Sequence, residues 1–333
     1  MLLKELTQAF GVSGYEKDVR EIIKGAVKDF ADDITTDALG NLIVFKKGTG
    51  TNKKKIMLAA HTDEIGLQVT KIEENGQIKV KNLGHHWIPT LYMNRVKFRN
   101  GIIGVVNSTI KIEDVKTDYT KLYVDIGTKS KAETQKCVKV GDVACYMGEY
   151  TELQDGCIIA KAIDDRLGCF IMVEVLKKLD KPYNDLYFVF TVQEEVGCRG
   201  SQVAAERINP DMGIAVDITP AQDYPCDLEG SNTLGAGAAI KVSDTSVICD
   251  EYLVEEMTKC CEENNIPYQY DVIYVGGTDA SSINRSNHGV RAAAVSVATR
   301  FPHGPNAMVS MKDVEASIAL LYKYTNREFD FEG

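Results

Sequence analysis

Five short segments of the chain concentrate histidine and carboxylate side chains. They are HTD at residues 61–63, IDDR at 163–166, QEE at 193–195, VDIT at 216–219 and FPHGP at 301–305. Each stands at the end of a strand-like run, and in open α/β sheets ligands bind beyond the carboxyl ends of the strands. Imidazole and carboxylate groups suit zinc and neighbouring divalent metals. The five segments together therefore predict a metal site.

Taken one at a time, most of these residues have an ordinary structural interpretation. Asp164 and Asp165 could cap the following helix, which is the favoured interpretation for Asp165. The acids at 194–195 could be solvated loop charges, and His303 between Pro302 and Gly304 could form a rigid turn. A carboxylate within an apolar strand, as in AVDIT at 215–219, needs a partner or a metal. It is their joint occurrence at strand ends that favours the metal site.

Strand-like and helix-like segments alternate in the first 67 residues and after residue 160. Residues 186–192 and 213–219 are nearly continuous apolar runs, as expected of strands buried on both faces. Apolar residues at helical spacing predict helices over 165–180 and 252–264 and a last helix following Ser310. Ser13 and Glu16 have the spacing of a capping box before the second helix. This alternation is typical of an α/β fold.

Residues 68–160 have a different character. Short alternating segments are separated by Asn75-Gly76, Asn100-Gly101 and Asp155-Gly156, which are hairpin-turn signals. No helical period is convincing there. We predict a small all-β domain, a barrel, inserted at 68–160 into a catalytic domain formed by 1–67 and 161–333.

Composition excludes several classes of function. The 333 residues carry 38 Lys and Arg against 48 Asp and Glu, a net charge of −10 that argues against nucleic-acid or membrane partners. No apolar run reaches the roughly 18 residues of a membrane span, and no secretory signal is visible. Nine scattered cysteines without paired spacing indicate free thiols in a reducing cytoplasm.

The ordered set of motifs resembles the M42 family of metallo-aminopeptidases. The matching segments are AAHTDEIG at 59–66, AIDDRLG at 162–168, TVQEEVGCRG at 191–200, AVDIT at 215–219, GGTDASSI at 276–283 and TRFPHGP at 299–305. The resemblance covers essentially the whole chain. It implies a mixed-sheet, zinc-exopeptidase-like catalytic domain with helices on both faces, plus an inserted barrel that mediates oligomerisation, from dimer to dodecamer, and substrate access.

The resemblance also implies a ligand set for two divalent ions, zinc or cobalt. Asp164 would bridge both ions, His61 and Asp217 would complete the shell of one, and Glu195 and His303 would bind the other. The division of ligands between the two ions stays open.

Other residues receive roles around this set. Asp63 would accept the second N–H of His61 and fix its tautomer, and Glu194 would be the general base. Thr278 and Asp279 would shape the substrate pocket, with loop structure as the alternative. Arg199 could bind an acidic side chain, with a structural ion pair as the alternative.

The implied activity is removal of N-terminal residues from short peptides. Glu194 would take a proton from a metal-bridging water and return it to the departing amine. Adjacent strand residues point to opposite faces, so the strand must end or bend before Glu194 and Glu195 can both face the metals.

The residues also leave two alternative functions open. One is a metal-independent endo-β-glucanase-type hydrolase, which needs paired carboxyls and usually stacking aromatics, whereas the chain has one tryptophan, Trp87. The other is a non-catalytic peptide-binding or assembly protein.

Overall fold

The computed structural model describes residues 1–331. The strands are β1 (Asp33–Thr36), β2 (Leu42–Lys46), β3 (Lys55–His61), β4 (Gly66–Ile72), β5 (Ile78–Leu83), β6 (Arg95–Phe98), β7 (Ile103–Ser108), β8 (Leu122–Asp125), β9 (Val143–Tyr146), β10 (Thr151–Glu152), β11 (Cys157–Ala160), β12 (Asp185–Thr191), β13 (Met212–Pro220), β14 (Ala238–Ser243), β15 (Tyr268–Val272), β16 (Arg291–Arg300) and β17 (Ala307–Ser310). The helices are α1 (Leu2–Gln8), α2 (Lys17–Val27), α3 (Ile88–Leu91), α4 (Ile112–Val115), α5 (Lys131–Thr134), α6 (Ile163–Lys178), α7 (Arg199–Ile208), α8 (Glu251–Asn264), α9 (Ala280–Asn284) and α10 (Met311–Tyr324).

One large mixed sheet organises the chain outside the barrel. Its order is β1-β2-β12-β3-β13-β16-β17-β11-β10, with β14 pairing with β16 and β15 pairing with β14. The central strands β12, β3, β13 and β16 run parallel, and the flanking pairs are antiparallel except for β14 and β15. This confirms the predicted mixed α/β architecture.

Both faces of the sheet are covered, as the apolar strands predicted. In β3, Ile56 and Leu58 belong to the core cluster that packs on α6 and α10, whereas Met57 and Ala59 belong to the cluster on the side of α7 and α9. Alternate residues of a strand point to opposite faces, so a strand buried on both sides must be apolar throughout.

Six strands form a separate closed barrel in the order β4-β5-β8-β7-β6-β9. Its own apolar core includes Val69, Val80, Phe98 and Val124. The barrel strands run from Gly66 to Tyr146, whereas β10 and β11 pair into the large sheet. The chain therefore rejoins the large sheet before residue 160. It does so at β10 and β11, because β11 pairs antiparallel with β17 of that sheet.

One local expectation is wrong. Helix α2 begins at Lys17 after Glu16, and neither Ser13 nor Glu16 forms the predicted capping box. The Ser13 hydroxyl instead donates to Asp63 Oδ2 at 2.6 Å. The carboxylate of Asp63 is a stronger acceptor than a neutral group, so this tertiary contact replaces the local one.

A buried charge cluster joins the N-terminal segment to α6. Arg166 is fully buried and donates to the main-chain oxygens of Leu6, Thr62 and Gly11 and to Glu64 Oε1. Lys161 Nζ lies 2.8 Å from both carboxylate oxygens of Glu64. Arg166 therefore forms a buried structural ion pair with Glu64.

We expect Arg166→Met to lower the free energy of unfolding by about 3–5 kcal/mol, because it leaves buried acceptors without a donor. Urea denaturation followed by circular dichroism measures this. Arg207→Met, at an exposed position of the same residue type on α7, should change stability by less than about 0.5 kcal/mol. Equal stability of the two variants would contradict a stabilising role for the cluster.

Within residues 1–331, no helix has both the length and the apolar character that crossing a membrane requires.

Candidate active site

The predicted site residues meet at one edge of the large sheet. Because β12, β3, β13 and β16 are neighbours and parallel, their carboxyl ends share that edge. His61 is the last residue of β3 and Asp217 lies near the end of β13. Glu194 and Glu195 follow β12, and His303 follows β16.

A gap between β3 and β13 makes room for the site. Their pairing ends two residues before His61 and Asp217, and the start of α6 at Asp164 and Asp165 has non-helical dihedral angles. The His61 N–H donates to Asp165 Oδ2 at 3.1 Å, and the Gly168 N–H donates to Asp165 Oδ1 at 3.0 Å. Asp165 therefore caps the helix, as favoured from the sequence, and also connects β3 to α6, which no sequence signal indicated.

The other four predicted ligands lie around the Asp164 carboxylate. Asp164 Oδ1 is 3.0 Å from His61 Nε2, and Asp164 Oδ2 is 3.1 Å from His303 Nε2. Glu195 Oε1 is 4.0 Å from His303 Nε2. Asp217 offers a carboxylate oxygen within 4.8 Å of a ring nitrogen of His61. Each oxygen of Asp164 thus faces a different imidazole, as a bridging carboxylate would require.

Both imidazole rings are oriented through their second nitrogen. His61 Nδ1 lies 3.0 Å from the main-chain oxygen of Asp63 and 3.6 Å from its carboxylate. His303 Nδ1 lies 2.7 Å from the main-chain oxygen of His85, in the segment between β5 and α3. A carbonyl acceptor requires the proton on Nδ1 and leaves Nε2 free to bind a metal. The sequence could not predict the contact between His303 and the main-chain oxygen of His85, because every residue has a main-chain carbonyl group.

The Asp63 carboxylate supports the two neighbouring glutamates. It accepts the main-chain N–H groups of Glu194 at 3.0 Å and Glu195 at 3.2 Å, besides the Ser13 hydroxyl. The structure therefore places the carboxylate of Asp63 against the glutamate turn and its main-chain oxygen nearer the ring of His61.

The strand bends where the sequence required it to. Strand β12 ends at Thr191, and Gln193 has a positive φ of 57°. The side chain of Glu194 reaches the site, with Oε2 3.9 Å from His61 Nε2, and Cys198 Sγ lies 3.2 Å from Glu194 Oε1. Both glutamates can therefore face the same group of residues.

The electrostatics of this group fit divalent cations. Burial raises the pKa of Glu195 to about 7 and that of Asp217 well above its ordinary value, and the charge of Asp164 adds to both. Burial opposes ionisation of Asp164 as well, but hydrogen bonds from His303 and His61 hold its pKa far below the usual range. Three carboxylates and two imidazoles are a donor set for zinc-like ions, whose charge would offset the repulsion.

Comparison with known proteins decides the family. A family model described as M42 glutamyl aminopeptidase matches residues 40–320. The chain belongs to the M42 peptidase family. A putative aminopeptidase of Acetivibrio thermocellus is 44% identical over 96% of each chain. This M42 membership confirms the resemblance inferred from the motifs and the prediction of a hydrolase that acts on peptides.

Solved structures of similar proteins agree with the fold. The aminopeptidase APDkam598 of the archaeon Desulfurococcus kamchatkensis has a TM-score of 0.93 at 35% identity, covering 98% of this chain and 94% of its own. The TET1 peptidase of Pyrococcus horikoshii, which can assemble into a tetrahedron or a large octahedral shell, has a TM-score of 0.86 at 32% identity, covering 97% and 98%. The M42 architecture of sheet plus barrel is thereby confirmed.

A cleft of about 1710 Å³ opens over the site of this M42 peptidase. Drug-sized ligands occupy pockets of about 300–1,000 Å³, so the cleft has room for several residues of a peptide. Its walls come from the segment around His85 and from the loops that follow β13, β15 and β16.

The three predicted substrate-binding residues have different positions. Thr278 lines the cleft. Asp279 is buried below the cleft wall, and its oxygens accept hydrogen bonds from Thr191 and Ser201. Arg199 is exposed, donates to Gln193 Oε1 at 3.2 Å and lies outside the cleft lining. Only Thr278 is therefore placed to touch a substrate directly.

Proposed function

We propose that this M42 peptidase is a dinuclear metal-dependent aminopeptidase that removes N-terminal residues from short peptides. The observation that carries the proposal is the Asp164 carboxylate, whose two oxygens face His61 and His303 at the base of the cleft. Beside it, Glu194 is an acid that the proposed ligand set does not use.

The proposed ligands divide into two groups around Asp164. His61 and Asp217 would serve one ion, and Glu195 and His303 would serve the other. The ligand atoms lie within 4.8 Å of each other in the first pair and 4.0 Å apart in the second, and Glu195 also lies within 4.8 Å of His61. When bound, two zinc or cobalt ions would lower the pKa of water and polarise the scissile carbonyl.

Glu194 is the proposed general base. Burial raises its pKa well above the ordinary value, and the nearby charges of Asp279 and Asp217 add to this. A carboxylate with a raised pKa accepts a proton from the attacking water more readily and then returns it to the departing amine. The contact from Cys198 holds one of its oxygens, so the other faces His61.

The concentration of acids also supports attack at the N-terminus. Glu194, Glu195 and Asp217 all line the cleft around the proposed centre. A free α-amino group carries a positive charge that these carboxylates attract, whereas an internal peptide nitrogen does not.

A pair of peptides tests the proposal. We expect release of the first residue from a tetrapeptide with a free N-terminus and none from the same tetrapeptide after N-acetylation, measured by mass spectrometry. A glycoside hydrolase would instead cleave a soluble β-glucan, and a binding protein would release nothing. Equal cleavage of both peptides would refute the aminopeptidase proposal.

The proposal includes a cytoplasmic location, which the nine unpaired cysteines support. It also includes self-association through the barrel. The assembling TET1 peptidase shares the barrel-containing fold. Sedimentation should show a dimer or a species near twelve times the 36.7 kDa chain mass. A monomer at micromolar concentration would contradict this part.

A further inference from the structure

We infer that the cleft accepts a neutral, apolar side chain on the N-terminal residue of the peptide and discriminates against acidic and basic ones. The inference rests on the proposed aminopeptidase function and concerns only its substrate class. It follows from the charges and the apolar surface of the cleft wall.

The cleft contains a lysine whose charge is already neutralised. Among the described residues that line the cleft, Lys241 is the one lysine or arginine. Its side chain is fully buried, with Nζ 2.5 Å from Asp271 Oδ2 and 3.9 Å from Asp244 Oδ2. Two carboxylates therefore face one ammonium group, and an acidic substrate side chain would be the third negative group there. Lys241 has no unpaired charge to offer it.

The partner of Lys241 is itself fully engaged. Asp271 Oδ1 accepts hydrogen bonds from Thr219 Oγ1 at 3.0 Å and from Asn232 Nδ2 at 2.7 Å. These contacts hold the carboxylate in place beside the ammonium group, because moving it would leave buried donors without an acceptor. Lys241 and Asp271 thus form a structural pair beneath the wall.

Within residues 1–331, a basic side chain would find no dedicated counter-charge in the cleft either. The acids of this part of the chain that line the cleft are Asp164, Glu194, Glu195, Asp217 and Asp227. The first four belong to the proposed catalytic group and would face the bound ions and the α-amino group of a substrate. Asp227 is exposed on the loop after β13, where water screens its charge.

The remaining wall offers apolar surface. Ile218 and Ile273 line the cleft but are only 8% and 9% exposed, so the accessible apolar surface comes from Val275, which precedes Thr278, and from Phe301. Val275 is 42% exposed and Phe301 is 46% exposed. A hydrophobic side chain placed against these residues removes apolar area from water on both partners, which favours binding.

A substrate panel tests the inference on the metal-loaded full chain. We expect kcat/KM for leucyl-p-nitroanilide to exceed that for the alanyl compound by at least about 10-fold and those for the glutamyl and lysyl compounds by at least about 100-fold. If kcat/KM for the glutamyl or the lysyl compound were within about 10-fold of that for the leucyl compound, the inference about charge would be overturned. Absence of release from all four compounds would instead refute the proposed function, so the two failures are distinguishable.

Two matched lysine variants locate the subsite. Val275→Lys adds an unpaired cation to the cleft wall and should raise kcat/KM for glutamyl relative to leucyl substrate by at least about 10-fold. Val272→Lys adds the same charge at a 47% exposed position on β15 outside the cleft lining and should leave the ratio unchanged. An unchanged ratio in the Val275 variant, or an equal shift in both variants, would overturn the assignment of this wall.

Discussion

Replacement of Glu194 with glutamine is expected to lower kcat by about 10²–10⁴-fold, the contribution of a positioned general base. Glutamine has nearly the same shape and can still accept the contact from Cys198, but it cannot take a proton. Because Glu194 is outside the proposed ligand set, metal content should stay at the wild-type level. Steady-state kinetics and elemental analysis of the dialysed protein measure both quantities.

The adjacent glutamate is the matched control for this experiment. Glu195→Gln changes the same functional group one residue away, where the side chain lies 4.0 Å from His303 Nε2. We expect this variant to lose metal as well as activity, because a neutral amide is a weaker ligand than a carboxylate. Near-normal turnover in Glu194→Gln, or loss of metal from that variant alone, would show that the two roles have been assigned wrongly.

Removal of divalent ions is expected to lower the rate of peptide hydrolysis by as much as the Glu194→Gln substitution or more. Treatment with EDTA followed by gel filtration should reduce peptide hydrolysis to background, and added zinc or cobalt should restore it. The physical reason is that unassisted water is a very weak acid and supplies almost no hydroxide at neutral pH. Hydrolysis of a free N-terminal peptide before and after metal addition is the measurement.

Asp164→Asn provides the control for metal removal. In the wild-type protein the two oxygens of Asp164 face the two imidazoles. Loss of the carboxylate charge should therefore weaken binding of both ions and prevent added metal from restoring activity. Ser246→Ala, elsewhere in the cleft lining, should still recover after metal addition. Full peptide hydrolysis after exhaustive chelation would exclude metal dependence and refute the proposed dinuclear centre.

Much of the architecture was predictable because its signals are local. The run LYFVFTV at 186–192 predicted a strand buried on both faces, and β12 is such a strand. The change of character after residue 68 predicted a barrel, and the closed six-stranded barrel confirms it. The position of polar segments at strand ends also predicted a shared edge, since parallel neighbours direct their carboxyl ends the same way.

The types of the site residues and the sheet edge where they lie thus follow from the amino-acid sequence alone. The contacts between distant segments do not follow from the sequence. Ser13 has the spacing of a helix cap and yet bonds Asp63, and His303 is oriented by a carbonyl near the barrel. Whether Lys241 acts as a free cation depends on a carboxylate 30 residues later in the chain, brought to 2.5 Å by the pairing of β14 with β15. Charge and hydrogen-bond strength depend on distance, and only the packing of strands and loops sets those distances.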